Sequence, residues 1–209
     1  MGVDWTRIPT TSRVVALTFD GGASDSAVSS ILGTLTAEDV PATFFLTGDF
    51  ARRFPARVAA IAAAGHRLGN HSDAHDHFPQ LSNVEIAADL ERAEEAIVTA
   101  SGGAGARPLF RFPYGDRTPA DIHAVNGEGY VPVRWTVDTL GWQGTSGGIS
   151  AAVVLERVLD TAQAGQIVLM HVGGHPTDGS TLDADALPSI IDELRERGFG
   201  FVTLDSLLG

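Results

Sequence analysis

Short runs of β-branched and aromatic residues alternate along this chain with longer stretches of helix formers, and most of the runs end on an ionisable side chain. Val14-Val15-Ala16-Leu17-Thr18-Phe19 leads into Asp20, and 25–35 reads as a helix capped by Ser24 or Asp25. Ala42-Thr43-Phe44-Phe45-Leu46 is a second strand, and the alanine-rich stretch 51–64 a helix. A short run up to Gly69 opens into His71, and 82–100 is a helix capped by Ser82 or Asn83. Strands are then expected at 108–111, 131–137, 166–170 and 200–204, with helices at 119–128, 150–164 and 182–197 between and around them. Such alternation means βαβ units and a mainly parallel sheet. The reading is one α/β barrel, a single domain over 1–209, with the glycine-rich 101–105 as a loop inside it.

In a parallel α/β barrel the C-terminal strand ends converge on one face, where chemistry is built. Asp20, His71, Arg111, Asp138 and His171 each stand at such an end. Singly, each has a plain structural explanation: a helix cap, an ion pair or a satisfied buried histidine. Core packing does not explain five strands each delivering an ionisable group to one rim. Within Asn70-His71-Ser72-Asp73-Ala74-His75, two imidazoles four residues apart lie on one face if the turn is helical, close enough to share a metal ion. Two ligands under-fill a tetrahedral site, which is the catalytic kind. The bland alternative is a polar loop that happens to be rich in histidine, since His66 and His77 flank the pair.

Composition narrows the partners. A net charge of −12 argues against nucleic acid or an anionic membrane surface. With 44% hydrophobic and 19% charged residues the chain can bury a core and lacks the signature of disorder. There is no cysteine, hence no disulfide and no thiol chemistry. No apolar run is long enough for a membrane span, and Met1-Gly2-Val3-Asp4 is not a secretory signal. An extracellular or cell-wall location with the signal already removed is expected, the cytoplasm being the alternative.

Five motifs, in order, then resemble those of the polysaccharide deacetylases of carbohydrate esterase family 4, the NodB-homology domain. Thr18-Phe19-Asp20-Gly21-Gly22 is similar to Thr-Phe-Asp-Asp-Gly, and His71-Ser72-Asp73-Ala74-His75 to the metal-binding histidine pair. Arg111-Phe112-Pro113-Tyr114-Gly115 is similar to Arg-x-Pro-Tyr, Asp138-Thr139-Leu140-Gly141-Trp142 to Asp-x-x-Asp-Trp, and Leu169-Met170-His171 to Leu-x-His. The resemblance spans Val14 to Leu204 and implies a distorted (β/α)7 barrel. It implies a divalent metal, usually zinc with cobalt or nickel as alternatives, on His71 and His75. It also makes Asp20 the general base, His171 the general acid, and Arg111 the group that keeps Asp20 ionised. The backbone N–H of Tyr114, beside Pro113, would face the oxyanion, and Trp142 and Leu169 would wall the sugar and the acetyl methyl.

Two positions depart from the pattern. Gly21 stands where the family has its metal-binding aspartate, and Gly141 where it has the carboxylate that orients the acid histidine. Asp25, in the loop after Gly21, is the candidate replacement ligand, with a helix N-cap as its alternative role; Asp138 is the candidate replacement partner for His171. Gly141→Asp is accordingly expected to raise the alkaline limb of a bell-shaped pH profile. His175 is read as a loop histidine capping backbone groups, with substrate or metal contact as the alternative, and His66, His77 and His123 as structural or surface residues. The implied activity is removal of acetyl groups from polysaccharides such as chitin, peptidoglycan or acetylxylan, by a monomer. The alternatives are a carbohydrate-binding pseudoenzyme and a hydrolase of a small amide or imide.

Overall fold

The computed structural model describes residues 4–208. In chain order they form β1 (Val14–Gly21), α1 (Val28–Ala37), β2 (Thr43–Leu46), α2 (Gly48–Arg53), α3 (Pro55–Ala63), β3 (Arg67–Asn70), α4 (Asn83–Ser101) and β4 (Leu109–Phe110). Then follow α5 (Pro119–Gly127), β5 (Val131–Pro132), β6 (Val137–Asp138), α6 (Ala151–Asp160), β7 (Gln166–His171), α7 (Leu182–Glu196) and β8 (Gly200–Phe201). The expected alternation is present, with three local corrections. The helix expected at 51–64 is two helices, because Pro55 cannot continue α2 and instead opens α3 at its first position. The strand expected at 131–137 is two short strands, since Val133 still bonds to the Phe110 carbonyl while Thr136 bonds to that of Ile167. The first helix begins at Val28, with Ala27 as its N-cap and no side-chain cap, so neither Ser24 nor Asp25 caps it.

The chain builds two compact units that are interleaved in sequence. One holds Gly21–Ala23 and Phe44–Arg134 with the described residues up to Thr6; the other holds Arg7–Asp20, Ser24–Thr43 and the chain from Trp135 onward.

In the first unit the strand order is β5-β4-β3-β2. Parallel pairing sets Asn70 beside Phe110 and Leu109 beside Val131. Helix α4 starts on a capping box, Ser82 with Glu85, which satisfies backbone donors the first turn would otherwise leave open. Its Ile86, Leu90, Ala93 and Ile97 follow helical spacing and are buried. Ile86 and Leu90 join Phe78, Phe110, Phe112, Val125 and Tyr130 in one apolar cluster. That cluster fixes the end of β4, and with it Arg111.

In the second unit β1 lies between β7 and β8, and β6 extends the sheet beyond β7. Val15, Ala16, Leu17 and Phe19 of β1 and Ile167, Val168 and Met170 of β7 are fully buried. Burial on both faces is what a parallel strand covered by helices requires, and it explains their continuous apolar runs. The register of β1 and β7 runs from Val15 beside Gln166 to Asp20 beside His171. Asp138 of β6 falls beside Leu169.

Candidate functional site

The first unit holds the histidine pair. Of the two conformations the sequence leaves open for the chain after β3, a loop or a helical turn, the structure has the loop. Ser72 (φ 74°) and His75 (φ 63°) both adopt left-handed backbone, uncommon for residues with a Cβ. The imidazoles of His71 and His75 nonetheless meet, with ring centroids 4.8 Å apart and planes at 76°. What over-determines this loop is a buried acid, Asp89, from α4. Its Oδ2 accepts the Ser72 hydroxyl at 3.1 Å and the Asp73 N–H at 3.0 Å, and Ser72 Oγ in turn accepts the His75 N–H at 3.1 Å. Burial pushes the Asp89 carboxyl above its ordinary range, and the two donors pull it back only in part. Asp73, between the histidines, is held by Arg52 Nη1 at 2.7 Å and Arg92 Nε at 3.0 Å. A Cβ on Gly48 would lie 2.0 Å from Asp73 Oδ1, so that glycine gives the carboxylate its room.

His71 Nδ1 lies 2.8 Å from the Arg111 carbonyl. A carbonyl only accepts, so Nδ1 carries the hydrogen and Nε2 keeps its lone pair, the arrangement of a metal-ligating imidazole oriented through its other nitrogen. The donor chemistry of the pair therefore fits a divalent cation. Among the described residues no group of three His, Cys, Asp or Glu side chains is placed to hold one. Arg111 is fully buried, its Nε on the Val133 carbonyl (3.2 Å), its Nη2 on that of Arg134 (3.0 Å), and its guanidinium 4.1 Å from the Phe45 ring centroid. Pro113 is buried, while Tyr114 combines left-handed backbone (φ 57°) with an exposed ring. That ring stacks on His77 at 4.2 Å and meets His75 edge-on at 4.4 Å. His77, read as structural or surface from sequence, thus joins the aromatic group beside the pair and also bonds Asp116 at 3.0 Å.

The second unit holds the acid and base candidates. Asp20 and His171 are register partners on β1 and β7, and paired residues of parallel strands present their side chains to the same face. Leu169, two residues before His171 and buried, lies on that face as well. Sequence reasoning missed Asp183, from the first turn of α7. Its Oδ2 accepts the His171 backbone N–H at 2.8 Å and lies 3.6 Å from the ring Nδ1; its Oδ1 accepts the Thr139 hydroxyl at 2.6 Å. The signal that could have found it is an acid in register with Leu187, Ile190 and Leu194, the buried face of an amphipathic helix. Burial opposes a charged His171, but Asp183, then Asp20 and Asp138, outweigh it and raise the imidazole above its usual range.

Asp138 does not take the orienting role expected of it. Its Oδ1 accepts the Leu140 N–H at 2.9 Å and its Oδ2 the indole N–H of Trp142 at 3.3 Å, closing the turn that presents the half-exposed Trp142. His175 matches the capping expectation, accepting the Asp178 N–H on Nδ1 at 3.3 Å. His66 is partly buried beside Phe44, and His123 is exposed.

The pattern of the polysaccharide deacetylase family matches residues 7–133, which include Asp20, both histidines and Arg111. The chain is 36% identical over 202 residues to a peptidoglycan-N-acetylglucosamine deacetylase of Bacillus cereus, covering 95% of this chain and 70% of that one. It is 33% identical over 204 residues to one from Listeria monocytogenes, of whose length it spans 40%. A solved peptidoglycan N-acetylglucosamine deacetylase, in complex with 4-naphthalen-1-yl-N-oxidanyl-benzamide, superposes with a TM-score of 0.87 at 32% identity, over 97% of this chain and 91% of that one. A CE4 family pseudoenzyme from Bacillus anthracis superposes with a TM-score of 0.88 at 27% identity, over 100% of this chain and 70% of that one. These superpositions bear out the expected fold class, the distorted (β/α)7 kind. With the motif order, the fold and the sequence match in agreement, the chain belongs to the polysaccharide deacetylase family.

Proposed function

We propose that this chain hydrolyses the acetamide of N-acetylated polysaccharides, of the peptidoglycan or chitin-oligosaccharide type, with a divalent metal on His71 and His75. The observation that carries the reading is the register pairing of Asp20 with His171, a base and an acid candidate on one sheet face. Asp20 accepts the proton of the attacking water. His171, whose protonated form is favoured by Asp183 and the neighbouring carboxylates against the cost of burial, donates to the leaving amine. Arg111 supplies a fixed positive charge in favour of an ionised Asp20. The Tyr114 N–H faces the developing oxyanion, and Trp142 and Leu169 shape the sugar side. When bound, the cation polarises the carbonyl and lowers the pKa of its water; imidazole donors suit zinc, and also cobalt or nickel. Among the described residues no third ligand group joins the pair, so water rather than Asp25 would complete the cation's sphere; the working location is outside the cell or at its wall.

Acetate release from chitooligosaccharides, peptidoglycan and acetylxylan, with metal content measured on the same sample, tests the reading. Release that requires metal and is lost in Asp20→Asn supports it; no release from any of the three overturns it.

A second reading, sugar binding without turnover, is favoured by Gly21, which leaves the histidine pair without the family's carboxylate. In that case oligosaccharide binds but no acetate appears even with added zinc, and Gly21→Asp creates activity.

A further inference from the structure

We propose that Asp183 is the carboxylate that positions His171, standing in space where the family pattern puts the side chain of residue 141. The inference rests on the reading of His171 as the general acid and assigns that site a positioning residue from a different element.

A Cβ on Gly141 would lie 2.3 Å from Asp183 Oδ1, 2.6 Å from its Cγ and 2.9 Å from its Oδ2. The space a residue-141 side chain would need is therefore already occupied by the Asp183 carboxylate, and the two side chains exclude each other. The carboxylate cannot simply swing aside. Thr139 donates to Oδ1, the His171 N–H donates to Oδ2, and the residue is 4% exposed. Thr139 Oγ1 also accepts the Gly141 N–H at 3.4 Å, so the glycine's own backbone belongs to the clamp. On the other side, His171 Nδ1 is buried and has no hydrogen-bond partner among the described residues. Asp183 Oδ2, at 3.6 Å, stands at ion-pair distance from it.

A buried ring nitrogen facing a fixed carboxylate keeps its proton, and the imidazole then offers its other edge, Nε2–H, to the leaving amine. Three carboxylates bear on the ring: Asp183 from α7, Asp20 from β1 and Asp138 from β6. Asp138 is committed to Leu140 and Trp142, and Asp20 is assigned the base, which leaves Asp183 for orientation. Its place in the first turn of α7 also suits an acidic side chain, because the helix N-terminus favours negative charge. Gly141 is thus the vacated half of an exchange whose other half is Asp183.

The test is the imidazole titration of His171 by NMR on the protein as isolated, with the pH profile of acetate release recorded in parallel. Asp183→Asn is expected to lower the His171 pKa by about one pH unit or more, the scale of a lost opposite charge at close range, and to move the alkaline limb down with it. Asp183→Ala combined with Gly141→Asp returns a carboxylate from the vacated position, and is expected to fold and to restore most of the raised pKa. A folded Asp183→Asn variant with an unmoved His171 overturns the proposal. Should that variant not fold, a folded double variant with His171 at its ordinary value overturns it instead. If the pKa falls as expected but the wild-type protein releases no acetate, the pairing stands and the deacetylase reading falls.

Discussion

The two units grip their candidate residues with the same device and differ in what the device reaches. In each, an acid on the apolar face of a helix is buried at a strand end and holds one backbone N–H and one hydroxyl. Asp89 of α4 takes the Asp73 N–H and the Ser72 hydroxyl; Asp183 of α7 takes the His171 N–H and the Thr139 hydroxyl. Asp183 also stands beside the ring it serves, whereas Asp89 acts on its histidines only through the loop backbone and Ser72. Each region has glycine where the family pattern has aspartate. At Gly141 another element supplies the carboxylate; around His71 and His75 no third ligand group is assembled among the described residues. A lost side chain is made good where the fold already brings an acid to its place, and nowhere else.

The largest effect should come from removing the histidine pair. His71→Ala with His75→Ala is expected to abolish stoichiometric metal, measured by elemental analysis, and acetate release with it. Metal that stays at full stoichiometry would move the centre elsewhere and break the comparison at its weaker half. Next comes His171→Ala, for which the worth of a general acid sets an expected loss of about 10²–10⁴-fold in kcat on an amide. Full activity in that variant would remove the acid role.

Much of this arrangement is legible in the sequence because strands buried on both faces leave continuous apolar runs, and the polar residue that ends each run is conspicuous. Asp20, His71, Arg111 and His171 each stand out at the end of such a run. The sequence leaves the histidine segment open between a loop and a helical turn; Ser72 and His75 reach the left-handed region of a loop because Asp89 and Ser72 hold them there. Asp183 was not legible, since an acid in a first turn reads as a partner of the helix N-terminus. Only its register with Leu187, Ile190 and Leu194 marks it as inward-facing. Pro55 is the opposite case, a break that the residue type alone announces.

Aspartate restored at the two glycines should act in opposite senses, and this sharpens the comparison. Gly21→Asp, which adds a carboxylate where none is supplied, is expected to tighten metal binding by at least the roughly 10–100-fold that even an outer-shell partner is worth, read by calorimetric titration. Gly141→Asp should instead fail to raise the alkaline limb and should cost about 1–3 kcal/mol of stability, the scale of overpacking, because its Cβ meets a pinned carboxylate. Gly141→Ala, without the added charge, should share most of that cost in urea denaturation. If Gly141→Asp proves as stable as wild type, Asp183 is free to move and the two glycines are alike after all.

The smallest effect concerns Asp89 and is a matter of pH. Its carboxyl is raised above the ordinary value, chiefly by burial, so folding favours its protonated form. The sign follows: the stability this group contributes is complete below the unfolded carboxyl's pKa, near 4, and is lost as pH rises through the higher folded value. Asp89→Asn removes the titration but leaves a side-chain oxygen to accept from Ser72 and Asp73. The variant should therefore be weaker than wild type by about 1–3 kcal/mol at low pH, the range for a disturbed buried polar group, and should recover part of that deficit towards neutrality. Urea denaturation of both proteins from pH 4 to pH 7 measures the difference. A deficit that grows with pH would mean that the loop is gripped by an ionised Asp89 with a lowered pKa. The histidine loop would then depend on charge in the same way as His171 does, and the contrast between the two units would narrow to the missing ligand alone.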